Sequence, residues 1–222
     1  MEKFKIDFIE FLVRSNALKF GEFNLKSGRV APYFVNMGSF FTGKEMYNLG
    51  RFYAYAFEHN DCKADVLFGP AYKGIPLAVA TSEALYSEFK IDVSWCFNRK
   101  EVKDHGEGNL LVGAPLNEKT EVFLIDDVIT AGTAIKETAD MLKKNGNPKI
   151  TGVLISLNRI EKNNEGKNAL EEVEKILGVK VYSIVNLDEV VEVLYNKEID
   201  GKIYIDDEKM ALIKAYRKQW GI

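Results

Sequence analysis

The 222-residue sequence has only two cysteines, Cys62 and Cys96, and they form neither a C-x-x-C pair nor a metal-ligand set. A disulfide scaffold and a thiolate metal centre are thereby excluded, leaving buried or incidental thiols in a reducing compartment. Long apolar runs are missing too: none approaches the roughly 20 residues needed to cross a bilayer as a helix. Net charge is only −3, so there is no global basic field of the kind that draws proteins to nucleic acid. Prolines are few, and there is no Pro/Ser-rich linker, low-complexity tract or internal repeat. The opening stretch, MEKFKIDFIEFLVRSNALKF, mixes acids with its apolar residues and has no small-residue cleavage site. It reads as an amphipathic helix rather than a signal peptide. These absences lead to the expectation of a cytoplasmic protein with neither nucleic acid nor a membrane as partner.

What is present suits a well-filled globular core: 46% of residues are apolar and 28% charged. Phe4, Phe8, Phe11 and Leu12 recur at helical spacing. KSGRVAPYFVNMG then reads as loop and short extended pieces. Thr42 and Glu45 have capping-box spacing and start a helix with Met46, Leu49, Tyr53, Ala56 and Phe57 inside. Strand-like and helix-like segments alternate from there. The strands are ADVLFG, DVSWCFN, EVFLID, ITGVLISLN and VKVYSIVN. The helices are GIPLAVATSEALYSEF, TAIKETADMLKKNG (closed by Gly146), ALEEVEKILG and LDEVVEVLYN. KIYI and a basic amphipathic helix to Trp220 complete the chain. Such alternation predicts an α/β fold, a mostly parallel central sheet flanked by helices. A single domain over 1–222 is expected, with core 41–186 and a small cap from 1–40 and 187–222.

The strongest chemical signal is FLIDDVITAGTAIKE, residues 123–137. Asp126 and Asp127 close an apolar strand, where ligands of parallel sheets bind. Successive strand residues point to opposite faces, so the two carboxylates cannot share one job if the strand continues through them. Backbone N–H groups of the following small-residue loop can converge on an anion, and the next helix adds its positive end. No Lys follows the last Gly, so this is not a Walker loop. Acids beside a phosphate cradle suit a sugar phosphate. The alternative is a strand ended by Asp-Asp and a helix capped by Thr130.

VFLIDDVITAGTA also resembles the 5-phosphoribosyl-1-pyrophosphate (PRPP) motif of type I phosphoribosyltransferases. Three further stretches resemble one branch, the orotate phosphoribosyltransferases. NRKEVKDHGEG, by itself either a solvated hairpin or a mobile lid over a polyanion, matches that branch's R-K-x-x-K-x-H-G catalytic loop. FGPAYKGIPLA, by itself an ordinary strand-to-helix turn or a second anion site, resembles the pyrophosphate loop. LKSGRVAPYFVNMG resembles the cap segment beside the base. In ISLNRIEK, Arg159 stands where that branch recognises orotate. A guanidinium can bind the orotate carboxylate with two parallel hydrogen bonds; otherwise Arg159 is a surface arginine. The surrounding R-x-E is kept, Lys162-Asn163 replaces an Arg-Gly, and Val35 replaces a second aromatic.

The resemblance implies the type I phosphoribosyltransferase fold with a cap, or hood. It implies transfer of ribose 5-phosphate from PRPP to orotate, in pyrimidine biosynthesis. PRPP contacts would come from Lys26, Tyr72, Lys73, Arg99, Lys100, Lys103 and His105. Asp126, Asp127, Val128, Ile129, Thr130, Ala131, Gly132, Thr133 and Ala134 would complete them. Orotate would meet Lys26, Phe34, Val35, Thr130 and Arg159. Lys103, Asp127, Lys100 and His105 would be catalytic. Mg²⁺ would be the cofactor, held mainly by PRPP and water rather than by direct protein ligands. A homodimer is implied, with the lid shared across subunits. A phosphoribosyltransferase for another base would keep the Asp-Asp loop but need no carboxylate-binding arginine. A PRPP-sensing regulator should add a helix-turn-helix or basic face.

Overall fold

The computed structural model describes residues 1–25, 28–101, 110–129, 132–163 and 165–222. The opening helix α1 (Lys3–Arg14) buries Phe8, Ile9, Leu12 and Val13, so its 3.6-residue period is used as expected. Strands β1 (Leu18–Asn24) and β2 (Val30–Val35) then form an antiparallel hairpin: β2 lies where the sequence suggested loop and extended pieces, whereas β1 begins inside the opening 20 residues read as helix, which α1 leaves at Arg14. Two irregularities hid the hairpin. Ala31, Pro32 and Tyr33 are buried in succession, without the strand alternation, and the register shifts between Phe20 and Phe23.

Helix α2 (Gly43–His59) starts with a complete capping box. The Glu45 N–H donates to Thr42 Oγ1 at 3.2 Å, and the Thr42 N–H donates to Glu45 Oε2 at 3.0 Å. The alternating core follows. It comprises β3 (Val66–Gly69), α3 (Gly74–Ala84, continued by a π turn at Leu85–Phe89), β4 (Ser94–Asn98) and β5 (Leu111–Gly113). Next come β6 (Glu121–Ile125), α4 (Thr133–Lys144), β7 (Lys149–Asn158), α5 (Ala169–Leu177) and β8 (Val181–Asn186). Helix α6 (Leu187–Leu194), the short pair β9 (Glu198–Ile199) and β10 (Lys202–Ile203), and α7 (Asp207–Trp220) end the fold. Strand β5 was not foreseen, because three residues are too few to show a period.

The six-stranded sheet runs β5-β4-β3-β6-β7-β8, all parallel except the edge strand β5. Period-two alternation assigns each residue to a face. On β6, Phe123 and Ile125 pack with α1, α2 and α3, whereas Val122 and Leu124 pack with α4 and α5. The first cluster continues through Tyr33 of the hairpin to Leu187 and Val190 of α6 and to Met210 and Ile213 of α7. Burial of each large side chain contributes about 1.5–3 kcal/mol.

This order positions the site. From β3 the chain moves to β4 on one side and later returns to β6 on the other. Such a switch point splays the two following loops apart and opens a crevice at the strand ends.

Candidate active site

Two loops meet at the switch point. The one after β3 is drawn tight because Gly69 and Gly74 touch: a Cβ on Gly69 would lie 2.0 Å from the Gly74 carbonyl oxygen. Asn98 at the end of β4 accepts from the Ala71 N–H at 3.0 Å, and the Ala71–Tyr72 peptide is cis. Lys73 leaves this loop and donates to Asp127 Oδ2 at 2.6 Å. Tyr72 is 67% exposed, with the Lys100 ammonium 4.9 Å from its ring centroid. The Arg99 N–H donates to the Leu110 carbonyl at 2.8 Å, closing the base of the charged segment.

The end of β6 is firmly held. The Asp126 N–H continues the ladder to Leu154 O at 3.1 Å, and its carbonyl accepts from Tyr53 Oη at 2.8 Å. The Asp127 carbonyl accepts from both the N–H and the hydroxyl of Ser156, at 2.9 and 2.6 Å. The carboxylates have different surroundings. Asp127 accepts from the Val128 N–H at 2.8 Å as well as from Lys73. Asp126 accepts from the Asp127 N–H at 2.8 Å. Burial, and then the neighbouring charge of Asp127, push the Asp126 carboxyl up to about 6.

Helix α4 begins at Gly132, which adopts the left-handed conformation with φ +72°. A Cβ there would come within 2.6 Å of Val173 Cγ2, so glycine suits both the turn and the approach of α5. Glycine offers no side chain to the first-turn N–H groups, and the first turn has no acid. This end of α4 is an electropositive surface suited to an anion. Thr133 and Lys136 on it line a cavity of about 920 Å³.

Another part of that wall is the segment after β7. Asn158 Oδ1 accepts from the Ile160 N–H at 2.9 Å, and Ile160 adopts φ +53°. Arg159 Nη2 lies 3.7 Å from Glu161 Oε2, and Tyr33 Oη donates to Glu161 Oε1. Burial, reinforced by Glu161, holds the Tyr33 phenol well above its ordinary value, so it keeps its proton. The chain's last residues close behind. The Lys162 N–H donates to Trp220 O at 2.8 Å and the Ile222 N–H to Ile160 O at 3.2 Å. Arg29 donates to the Lys162 carbonyl at 3.0 Å and stacks over Trp220 at 3.9 Å.

The cavity unites Phe34, Val35, Lys73, Val128, Ile129, Thr133 and Arg159 from the expected set. Phe34 is 39% exposed and stacks on Phe23. Asp126, Asp127 and Gly132 are buried, and Ala134 is exposed on α4; none of these four lines the wall, nor do Tyr72, Arg99 and Lys100. Lys26, Lys103, His105, Thr130 and Ala131 lie outside the described residues. Glu161, Tyr33 and Lys136 line the cavity without having been assigned a role. The kept R-x-E was the one signal for Glu161. Both cysteines are free; burial raises Cys62 to about 12 and Cys96 to about 11, favouring the protonated thiol. No helix among the described residues is long and apolar enough to cross a membrane.

This sheet, switch-point crevice and electropositive helix end are those of a phosphoribosyl transferase domain, whose family model matches residues 38–191. Among curated relatives, the orotate phosphoribosyltransferase of Clostridium beijerinckii is 48% identical over 222 residues, covering 100% of this chain and 99% of that protein. That of Actinobacillus pleuropneumoniae serotype 5b is also 48% identical over 222 residues, covering 100% of both. The crystal structure of orotate phosphoribosyltransferase from Francisella tularensis has a TM-score of 0.84 and 40% identity, covering 97% of this chain and 100% of that one. The chain belongs to the orotate phosphoribosyltransferase family, on a type I phosphoribosyltransferase fold.

Proposed function

We propose that this enzyme transfers ribose 5-phosphate from PRPP to orotate, giving orotidine 5′-monophosphate and pyrophosphate in pyrimidine biosynthesis. The observation that carries the reading is one cavity bounded by both Lys73 and the first turn of α4, for phosphates, and by Phe34 and Arg159, for an aromatic carboxylate. The orotate ring nitrogen attacks the anomeric carbon as pyrophosphate leaves. Catalysis is then mainly placement and stabilisation of separating charge.

In this reading the 5′-phosphate lies on Val128 to Ala134 at the α4 end. Asp126 and Asp127 accept from the ribose hydroxyls, directly or through water. Arg159 takes the orotate carboxylate, with Phe34 and Val35 beside the ring and Lys26 and Thr130 completing the contacts. Tyr72, Lys73, Lys100, Lys103, His105 and the partner subunit's Arg99 neutralise the departing pyrophosphate. Lys103→Ala should lower turnover far more than it weakens orotate binding; equal losses would count against that role.

Among the described residues no group of three or more His, Cys, Asp and Glu could hold a metal. Mg²⁺ would be held by PRPP and water, with Asp126 and Asp127 accepting hydrogen bonds from that water rather than ligating the ion. When bound, Mg²⁺ supplies positive charge to the diphosphate. A homodimer in the cytoplasm, with segments 1–40 and 187–222 as a cap over core 41–186, completes the proposal. Light scattering would test the dimer.

The defining assay is ultraviolet loss of orotate with purified protein, PRPP and Mg²⁺, omitting each in turn and offering adenine, hypoxanthine and uracil as controls. Orotate loss that needs both PRPP and Mg²⁺ is expected. Turnover of another base instead would refute the base-site reading. PRPP binding without turnover would favour a PRPP-sensing regulator.

A further inference from the structure

We infer that Glu161 is a positioning residue that holds the Arg159 guanidinium ready for the substrate carboxylate, with Tyr33 as its anchor. The inference rests on the reading of Arg159 given above and extends it to two residues behind the binding group.

Glu161 is a buried carboxylate at the cavity wall, with its side chain only 5% exposed, and the Arg159 side chain beside it is 18% exposed. Burying a carboxylate is costly unless its oxygens are paired. Here the two oxygens have separate partners. Oε1 receives the Tyr33 hydroxyl, from a tyrosine that is itself 1% exposed on β2. Oε2 faces Arg159 at 3.7 Å, within ion-pair range and beyond a hydrogen bond. The separation matters. At hydrogen-bond distance Glu161 would occupy the donors that a substrate carboxylate needs. At 3.7 Å it attracts the guanidinium and leaves that fork to the ligand.

Glu161 is itself fixed. Its backbone pairs with Gly221, flanked by the Lys162–Trp220 and Ile222–Ile160 hydrogen bonds. Tyr33 packs edge-on against Tyr216 of α7, with centroids 5.9 Å apart. Thus β2, the segment after β7 and the end of the chain converge on one carboxylate. A surface arginine needs no such backing; an arginine that must meet a planar carboxylate in register does.

The test is a double-mutant cycle in steady-state kinetics. Glu161→Gln keeps shape and an acceptor for Tyr33 but loses the charge facing Arg159. It should raise the KM for orotate about tenfold, within the range expected for coupled residues of one hydrogen-bond and ion-pair network. The PRPP KM and kcat should stay within about twofold in the same variant. Tyr33→Phe should move orotate KM the same way by less. In an Arg159→Ala background, where orotate KM is expected to be raised already, neither change should add anything. Two outcomes overturn the inference alone: full additivity with Arg159→Ala, or an unchanged or lowered orotate KM in both Glu161→Gln and Tyr33→Phe. If Arg159→Ala leaves orotate KM unaltered, the Arg159 reading falls and this inference with it. Melting temperature of each variant, and the PRPP KM, separate positioning from a general loss of fold.

Discussion

Lys73 and Asp127 are joined across 2.6 Å, and through them the loop after β3 is tied to the end of β6. The lysine side chain is 58% exposed and the carboxylate 11%, so the pair straddles the rim between crevice and interior. An incoming polyphosphate offers Lys73 a second anionic partner. If Lys73 turns to it, an Asp127 oxygen is released for a ribose hydroxyl.

Lys73→Ala removes both the resident partner of Asp127 and a cation for the leaving group. Its kcat/KM for PRPP should fall by about 10²-fold, while orotate KM changes little. Initial rates at varied PRPP and fixed saturating orotate would show it. An orotate KM that rises equally would contradict the exchange of partners.

Asp126 makes a prediction about pH. Its carboxyl titrates near 6 in the fold against 3.8 ordinarily, raised by burial and by Asp127. A raised carboxyl favours the folded state fully below the unfolded value, and that contribution is lost as pH rises through the folded value. Asp126→Asn keeps an acceptor for the Asp127 N–H but carries no charge. The variant should therefore gain about 1–3 kcal/mol over the parent at pH 7.5, shrinking towards zero below pH 4. Urea denaturation across that range would measure it. Activity should fall, since function is what retains a strained charge there.

Gly132→Ala combines an unfavourable φ with a Cβ 2.6 Å from Val173. A loss of about 1–3 kcal/mol is expected, with PRPP affinity reduced as the α4 end shifts. Thermal denaturation with and without PRPP would separate the two effects. Unaltered stability would mean that α5 yields at no cost.

Arg159→Lys keeps a charge but loses the planar fork. It should raise orotate KM by at least about tenfold, and Arg159→Ala by more, with PRPP KM preserved. Progress curves at limiting orotate would detect either change.

Much of this architecture is legible in the sequence, for identifiable reasons. The α4 segment declares itself by a small-residue start, helical apolar spacing and a Gly146 exit at φ +90°. The strands β3, β6 and β7 are short apolar runs between turn residues. Their order in the sheet, and with it the switch point, comes from packing and has no local signature. The β1–β2 hairpin escaped because its register slip breaks the alternation. Tyr33 and Glu161 are 128 positions apart. Nothing near either residue announces that pairing. A motif could mark Arg159, but the carboxylate's partner was visible only in three dimensions.

Tyr53 from α2 and Ser156 from β7 grip the carbonyls of the two adjacent aspartates. The floor of the crevice is therefore anchored to helix and sheet together, whereas its rims are loops. Deuterium should enter the rims long before it reaches the amides of Asp126 and Ser156, which exchange only when the sheet itself opens. Substrate would then settle onto a fixed anvil, set by the sheet before any ligand arrives.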